Sequence, residues 1–309
     1  MSNDKRIYVI GSSNTDMVVK SEKLPAPGET VIGGEFLMNA GGKGANQAVA
    51  AARLGGTVYF VGKTGNDLFR KQAIQQFKRE HILTDYVATD SRLPSGVALI
   101  NVDARGENSI SVAPGANAAL TKEDVDHALA QVKPDDLVLI QLEIPVNVVA
   151  HVIEESASKG VRVILNPAPA QQLSRETLSK LYLITPNESE AELLTGIKVN
   201  DLASAEKAAQ KLRDAGCDHV IITLGSKGAY LSSGDISAII PAIPVAAIDT
   251  TAAGDCFNGA LAVALSENKD IRSTVAFACK AAAISTTRMG AQNSLPTRKE
   301  LESMQLEKS

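Results

Sequence analysis

The stretch Asp249-Thr250-Thr251-Ala252-Ala253-Gly254-Asp255 opens with small and polar residues. It then passes into an apolar helical run that includes Phe257, Leu261, Val263 and Ala264. Small residues at a helix entrance let an anion approach the free backbone N–H groups closely, and the helix dipole favours negative charge there. A carboxylate inside such a site is out of place unless it has a task. One reading has Ala252, Ala253 and Gly254 holding phosphate oxygens while Asp255 takes a proton. The other leaves Asp255 as an ordinary acid in the first turn of a helix, where acids are common.

A second candidate is Ala40-Gly41-Gly42-Lys43-Gly44-Ala45-Asn46-Gln47, which enters a small-residue helix ending near Leu54. Its glycines permit unusual backbone angles and close approach to a ligand, although a tight turn with close helix packing would use the same residues. No G-x-x-x-x-G-K-[ST] spacing is present, so this is not a P-loop. No G-x-G-x-x-G follows the first strand either, which weighs against a dinucleotide oxidoreductase. Other polar groups follow apolar runs: Asn14 with Asp16, Glu143, Asn187 with Glu190, and Thr223 to Gly228. Asn187 and Glu190 have the spacing of a capping box, worth about 1 kcal/mol as structure alone. Ordering a magnesium ion is the alternative for Glu190. Thr223-Leu224-Gly225-Ser226-Lys227-Gly228 reads equally as a glycine turn leaving a strand. Glu143 is a lone carboxylate after an apolar strand and needs partners or a polar ligand.

These groups need a scaffold that gathers strand ends. Arg6 to Ile10, Thr57 to Val61, Asp136 to Leu142, Val161 to Leu165, Leu181 to Thr185 and His219 to Leu224 read as strands. Helices are expected between them, including one from about Val146 to Lys159 and one from Ala203 to Ala215. Asn66 is a candidate cap for a helix to about Glu80, and Thr121 with Asp124 is an acidic capping box. This alternation predicts an α/β fold of three α-β-α layers around a mostly parallel, Rossmann-like sheet. Ligands bind beyond the carboxyl ends of strands in such sheets. Two regions break the rhythm, about 16–40 and 95–113. Both are β-prone and broken by turns, among them Asp103-Ala104-Arg105-Gly106. They are predicted to form one small sheet inserted into a single domain spanning 1–309.

The composition, 44% hydrophobic and 21% charged over 309 residues, suits a globular protein. A formal net charge of −4 argues against a general nucleic-acid or anionic-membrane surface. Cys217, Cys256 and Cys279 show no CxxC spacing, which suits a reducing cytoplasm and gives no disulfide framework or zinc site. The histidines (His81, His127, His151, His219) lack metal-binding spacing. Met1 to Arg6 is polar and without the apolar core of a signal peptide, and no stretch is apolar enough to cross a membrane.

The Gly41-to-Ala48 entrance and the Asp249-to-Asp255 stretch, with Asn187-x-x-Glu190 between them, are similar to the motifs of the ribokinase-like family of ATP-dependent sugar kinases. The resemblance runs nearly end to end. It implies phosphoryl transfer from ATP to a sugar hydroxyl. Asn14-Thr15-Asp16 and Gln141-Leu142-Glu143 sharpen it toward the 5-hydroxyl of D-ribose. Deoxyribose, fructose or a nucleoside are the alternatives within the class, and a non-catalytic sugar sensor is the alternative outside it. On this resemblance Asp255 would be the general base, with the N–H groups of Ala252, Ala253, Gly254 and Asp255 as an anion hole. Asn14, Asp16, Gly42, Lys43, Asn46 and Glu143 would contact the sugar. Asn187, Thr223, Gly225, Ser226, Gly228 and Gly254 would contact ATP, with Glu190 placing Mg2+ through water. A monovalent cation, usually K+, would sit near Asp249, Thr251, Thr286, Arg288, Gly290 and Ser294, mostly on backbone oxygens. Cys279 stands where the family commonly has His or Asn beside the adenine. The β-rich insertion would be a lid over the sugar that also forms a homodimer interface.

Overall fold

The computed structural model describes residues 5–304, so most of the polar start read from Met1 to Arg6 lies outside it. Its strands, in chain order, are β1 (Arg6–Ile10), β2 (Asn14–Lys20), β3 (Glu35–Gly41), β4 (Thr57–Gly65), β5 (Leu83–Asp90), β6 (Gly96–Val102) and β7 (Asn108–Ala113). The later strands are β8 (Leu137–Ile140), β9 (Arg162–Leu165), β10 (Leu183–Ile184), β11 (His219–Thr223), β12 (Ala229–Ser233) and β13 (Ile236–Ile240). Helices α1 (Lys43–Arg53), α2 (Leu68–Arg79), α3 (Lys122–Leu129), α4 (Val146–Ser158), α5 (Arg175–Leu178) and α6 (Glu188–Thr195) lie between them. After α7 (Leu202–Asp214) the chain ends in α8 (Ala253–Ser266), α9 (Ile271–Thr286), α10 (Ala291–Ser294) and α11 (Arg298–Ser303).

The main sheet has nine strands in the order β13-β12-β11-β10-β9-β8-β1-β4-β5. It is parallel except for the antiparallel meander β11-β12-β13. Successive side chains on a strand face opposite ways, and in the central strands both sets are apolar. Ile7 and Val9 face a layer containing α1, α2, α8 and α9, whereas Tyr8 and Ile10 face α3, α4 and α7. Three α-β-α layers result, as the near-continuous apolar strands predicted. The strand order reverses at β1, between β8 and β4, and such a reversal opens a crevice at the carboxyl edge of the sheet.

Some boundaries differ from the sequence reading, for local reasons. The cap of α2 is Asp67 and not Asn66, because the Asp67 carboxylate accepts the Arg70 N–H at 2.9 Å. The strand expected over Asp136 to Leu142 shrinks to β8. Asp136 turns its carboxylate back onto the Arg6 guanidinium and the Lys133 N–H, leaving Gln141, Leu142 and Glu143 beyond the strand end.

The two irregular regions lie side by side in a four-stranded sheet of order β3-β2-β6-β7. Its pairing register puts Met17 opposite Met38 and Leu99, and Val19 opposite Phe36, so these apolar side chains share one face. Phe36, Met38 and Leu99 on that face are exposed.

Close contact between α1 and α8 brings the two candidate motifs together. Gly259 of α8 sits on α1, where an added Cβ would stand 2.6 Å from the Ala50 Cβ and 2.7 Å from the Gln47 carbonyl oxygen. Neither neighbour can swing aside, since one is backbone and the other a methyl fixed to it. Gly259→Ala is therefore expected to lower stability by about 1–3 kcal/mol through overpacking. Urea titration checks this, and a midpoint equal to the parent's would show that the helices are not in this contact.

Candidate active site

Ala252, the cap that precedes helix α8, has φ 59 and ψ 14. That left-handed conformation is uncommon for a residue with a Cβ; it swings the chain from the Asp249 loop into the helix. Ala253 N–H donates to the Thr250 carbonyl at 3.2 Å, while those of Gly254 and Asp255 take no protein acceptor among the described residues. Open donors of this kind are what a helix start offers an anion.

Asp255 is buried one residue further on, with 6% of its surface exposed. Its Oδ2 accepts from Asn46 Nδ2 at 2.9 Å and its Oδ1 from Gln47 Nε2 at 3.0 Å. Burial pushes this carboxyl above its ordinary value, against the pull of Lys43 and the two amides, and Glu143 adds to the push.

A second group of side chains gathers where β1, β2 and α1 meet. Glu143 Oε2 accepts from Ser12 Oγ at 2.5 Å and from the Lys43 N–H at 3.0 Å. Asn14 Oδ1 accepts from Asn117 Nδ2 at 2.8 Å, which leaves the Asn14 N–H2 group for another partner. Asp16 lies over Gly41, where a Cβ would come within 2.1 Å of its Oδ2, so a side chain at 41 would displace it. Gly42, with φ 89, forms the left-handed step into α1. The Asp16 carboxyl is pushed up to about 6, mainly by burial and then by Glu143 and Asp255. Three carboxylates, Asp16, Glu143 and Asp255, thus lie near enough to act on one another's charge.

On the other side of Asp255 and Lys43 a cavity of about 890 Å³ runs along the strand ends. Asn187, Glu190, Thr223, Gly225, Ser226, Gly228, Gly254 and Cys279 all line it, as do Pro244, Val245 and Ala282. Asn187 and Glu190 form the reciprocal capping box, at 2.8 and 2.9 Å. The cap uses only one oxygen of Glu190. Burial raises that carboxyl too.

The loops 248–251 and 286–290 meet beside α8. Asp249 accepts from the N–H groups of Thr251 (2.9 Å) and Gly290 (2.8 Å), and the Thr286 carbonyl accepts from Ile248 and Asp249. Burial tends to raise the Asp249 carboxyl, but the Thr251 side chain and the Gly290 and Thr251 N–H groups outweigh it and hold it below the ordinary value. The Arg288 side chain is paired with Glu300 at 2.6 Å and the Ser294 hydroxyl is bonded to Ala291 O, so both are engaged elsewhere. No cluster of three His, Cys, Asp or Glu suited to a metal occurs among the described residues.

The sequence reading missed the residues that hold these groups in place: Ser12 on Glu143, Asn117 on Asn14, and Gln47 on Asp255. Gln47 left a trace, since an amide amid Ala45, Ala48, Ala50 and Ala51 on a buried helix must find a partner.

The profile of the pfkB family carbohydrate kinases matches residues 4–298. The chain is 47% identical to the ribokinase of Haemophilus influenzae over 296 residues, 96% of this chain and 97% of that one. Its fold is similar to that of the Thermotoga maritima ribokinase, with a TM-score of 0.87 and 42% identity over 97% of this chain and 98% of that one. It is also similar to the Arabidopsis thaliana ribokinase complexed with ribose and ATP, with a TM-score of 0.91 and 34% identity over 99% of each chain.

Asp16 provides a test of the electrostatics. A carboxyl whose folded value, about 6, exceeds its ordinary 3.8 costs stability as pH rises from one to the other, because the folded state resists losing the proton. Asp16→Asn is thus expected to be more stable than the parent at pH 7.5, by about 3 kcal/mol, and to gain little at pH 3.5. Denaturation at both pH values measures this; an equal gain at both would remove the electrostatic cause.

Proposed function

Because the chain belongs to the pfkB family of carbohydrate kinases, we propose that it phosphorylates D-ribose at the 5-hydroxyl with ATP, giving D-ribose 5-phosphate and ADP. One observation carries the reading: the buried Asp255 stands between the polar cluster of Asn14, Asp16 and Glu143 and the long cavity that begins at the start of α8. Hydroxyl groups of a sugar would satisfy the cluster, donating to Asp16 and Glu143 and accepting from Asn14. Its primary hydroxyl would then face Asp255. ATP would fill the cavity with its base near Cys279 and its phosphates at the N-terminus of α8.

Phosphoryl transfer depends on alignment and on neutralising charge over the phosphoryl oxygens. The N–H groups of Gly254 and Asp255 supply fixed donors, each worth about 3 kcal/mol in comparable oxyanion holes. Asp255 takes the hydroxyl proton late, as the bond to phosphorus forms. Lys43 adds positive charge between the two substrates. Magnesium fits as a partner of the nucleotide, held by its phosphates and through water by the free oxygen of Glu190, since hard cations of this size keep several waters. A potassium ion would suit the Asp249 loop, where Asp249 and the carbonyls of Thr251, Arg288, Gly290 and Ser294 would supply oxygen; the Thr286 carbonyl already accepts from two N–H groups. When bound, it would add positive charge behind the anion hole. Sparse, unpaired cysteines support a cytoplasmic setting.

The four-stranded sheet would act as a lid, excluding water that could take the phosphoryl group. Its exposed face of Phe36, Met38 and Leu99 supports a homodimer formed through the lid, for apolar side chains gathered on one exposed face mark interaction sites.

Asp255→Asn is expected to lower kcat by about a thousandfold or more while calorimetry still detects sugar binding. The parent enzyme, assayed by ADP release, is expected to show its highest kcat/KM with D-ribose among ribose, deoxyribose, fructose and nucleosides. Near-parent turnover by the Asn variant would sink the base assignment, and ribose binding without ADP release would favour a sensor. For the dimer, Phe36→Glu should convert the parent dimer into a monomer in sedimentation velocity; a monomeric parent would end that proposal.

A further inference from the structure

Two buried glutamines have no place in the chemistry above, and both lead to Asp255. Gln47, on α1 one turn past Lys43, and Gln141, directly after β8, expose none of their surface. A buried carboxamide must place both its oxygen and its N–H2 group. Gln141 Nε2 donates to Gln47 Oε1 at 2.7 Å, and Gln47 Nε2 donates to Asp255 Oδ1 and to Asn166 Oδ1, each at 3.0 Å.

The direction of this chain is dictated from one end. An ionised carboxylate only accepts, so Gln47 must turn its nitrogen toward Asp255 and its oxygen away. Gln141 must then turn its own nitrogen toward Gln47. That leaves Gln141 Oε1 against Gly11, where an added Cβ would stand 2.1 Å from it, and with no protein donor among the described residues. An orphaned buried acceptor costs stability, and each such group calls for an explanation. An apolar side chain of the same size would serve packing better.

We propose that Gln47 and Gln141 are positioning residues for the reaction, an aligned pair of amides that fixes the rotation of the Asp255 carboxylate from one side while Asn46 fixes it from the other. The proposal rests on Asp255 being the base. Gln141 touches neither substrate; it acts by keeping Gln47 from turning. Asn46 is steadied in the same manner, since its Oδ1 accepts from Gln292 Nε2 at 3.2 Å. The charged groups facing Asp255 are Lys43, which favours its ionised form, and Glu143, Asp16 and Glu190, which oppose it. Against burial and the three carboxylates, Lys43 and the two amide donors hold the proton affinity of the base down. Weakening one of them raises it.

The test compares Gln141→Leu with Gln141→Glu in the full-length enzyme, reading kcat, both KM values, the pH profile of kcat/KM and Tm. Gln141→Leu is expected to keep KM for sugar and ATP within about twofold, to lower kcat about tenfold, and to move the acid limb of the profile upward by about half a pH unit. The dry site raises the carboxyl introduced by Gln141→Glu, so at low pH it is protonated and can still donate to Gln47, and it loses that donor only as it ionises at higher pH. It should match the parent at low pH and lose activity relative to it as pH rises. A Leu variant with the parent's kcat and acid limb would overturn the proposal. Should the Leu variant not fold, a Glu variant whose activity ratio to the parent is constant with pH overturns it as well. Asp255→Asn separates the two levels: if it keeps turnover, the base assignment fails, whereas an inactive Asp255→Asn beside unaffected Gln141 variants removes only the glutamines.

Discussion

A carboxylate taken out of water must have its lost hydration replaced, and at Asp255 this requirement shapes the surroundings. Two amide N–H groups and a lysine supply what water would have given. Those amides belong to α1, so α1 must lie almost in contact with α8. Only small side chains along the crossing allow it, which is why Gly259 faces Ala50 and Ala51 there. Gly44 pushes the start of α1 against Gly11 and Ser12 in the same way, where a Cβ would meet backbone at 2.7 Å. Packing and chemistry are one problem in this region: each methylene added between the helices would move a donor off the carboxylate.

The polar cluster around Asp16 carries a related tension. Burial penalises charge on Asp16 and Asp255, and repulsion among Asp16, Glu143 and Asp255 adds to the cost. A fold selected for stability alone would replace at least one of them. On the proposed function, the hydroxyls of a sugar would relieve the strain, because each would donate a hydrogen bond to a carboxylate. Binding energy at such a site would be drawn from groups held ready rather than from groups that must be assembled.

Much of this was legible from residue types. The strands β1, β4, β9 and β11 stand out because both their faces are buried, which makes their apolar runs continuous. The Asn187–Glu190 box was readable because its two partners lie three residues apart. Contacts between distant segments were not legible: the Ser12–Glu143 bond spans 131 residues and the Gln47–Asp255 bond 208. Only the folded sheet brings those pairs together. The end of β8 was misjudged because Leu142 continues the apolar pattern, although Gln141 already ends the strand. Apolar periodicity reports burial, and burial continues past the last ladder hydrogen bond.

The reversal of strand order at β1 also divides the chain by length. Residues around the proposed sugar space come mainly from 12–46, with Glu143 just across the crevice, while those around the proposed nucleotide cavity come, Lys43 apart, from 166–286. Only Lys43 and Asp255 serve both. One end of the gene thus encodes what the enzyme would act upon and the other what powers it. Recombination within the stretch between them could exchange one acceptor for another and leave the donor half intact. A scaffold divided in this way can diversify by inheritance of segments, without having to reinvent its chemistry at each step.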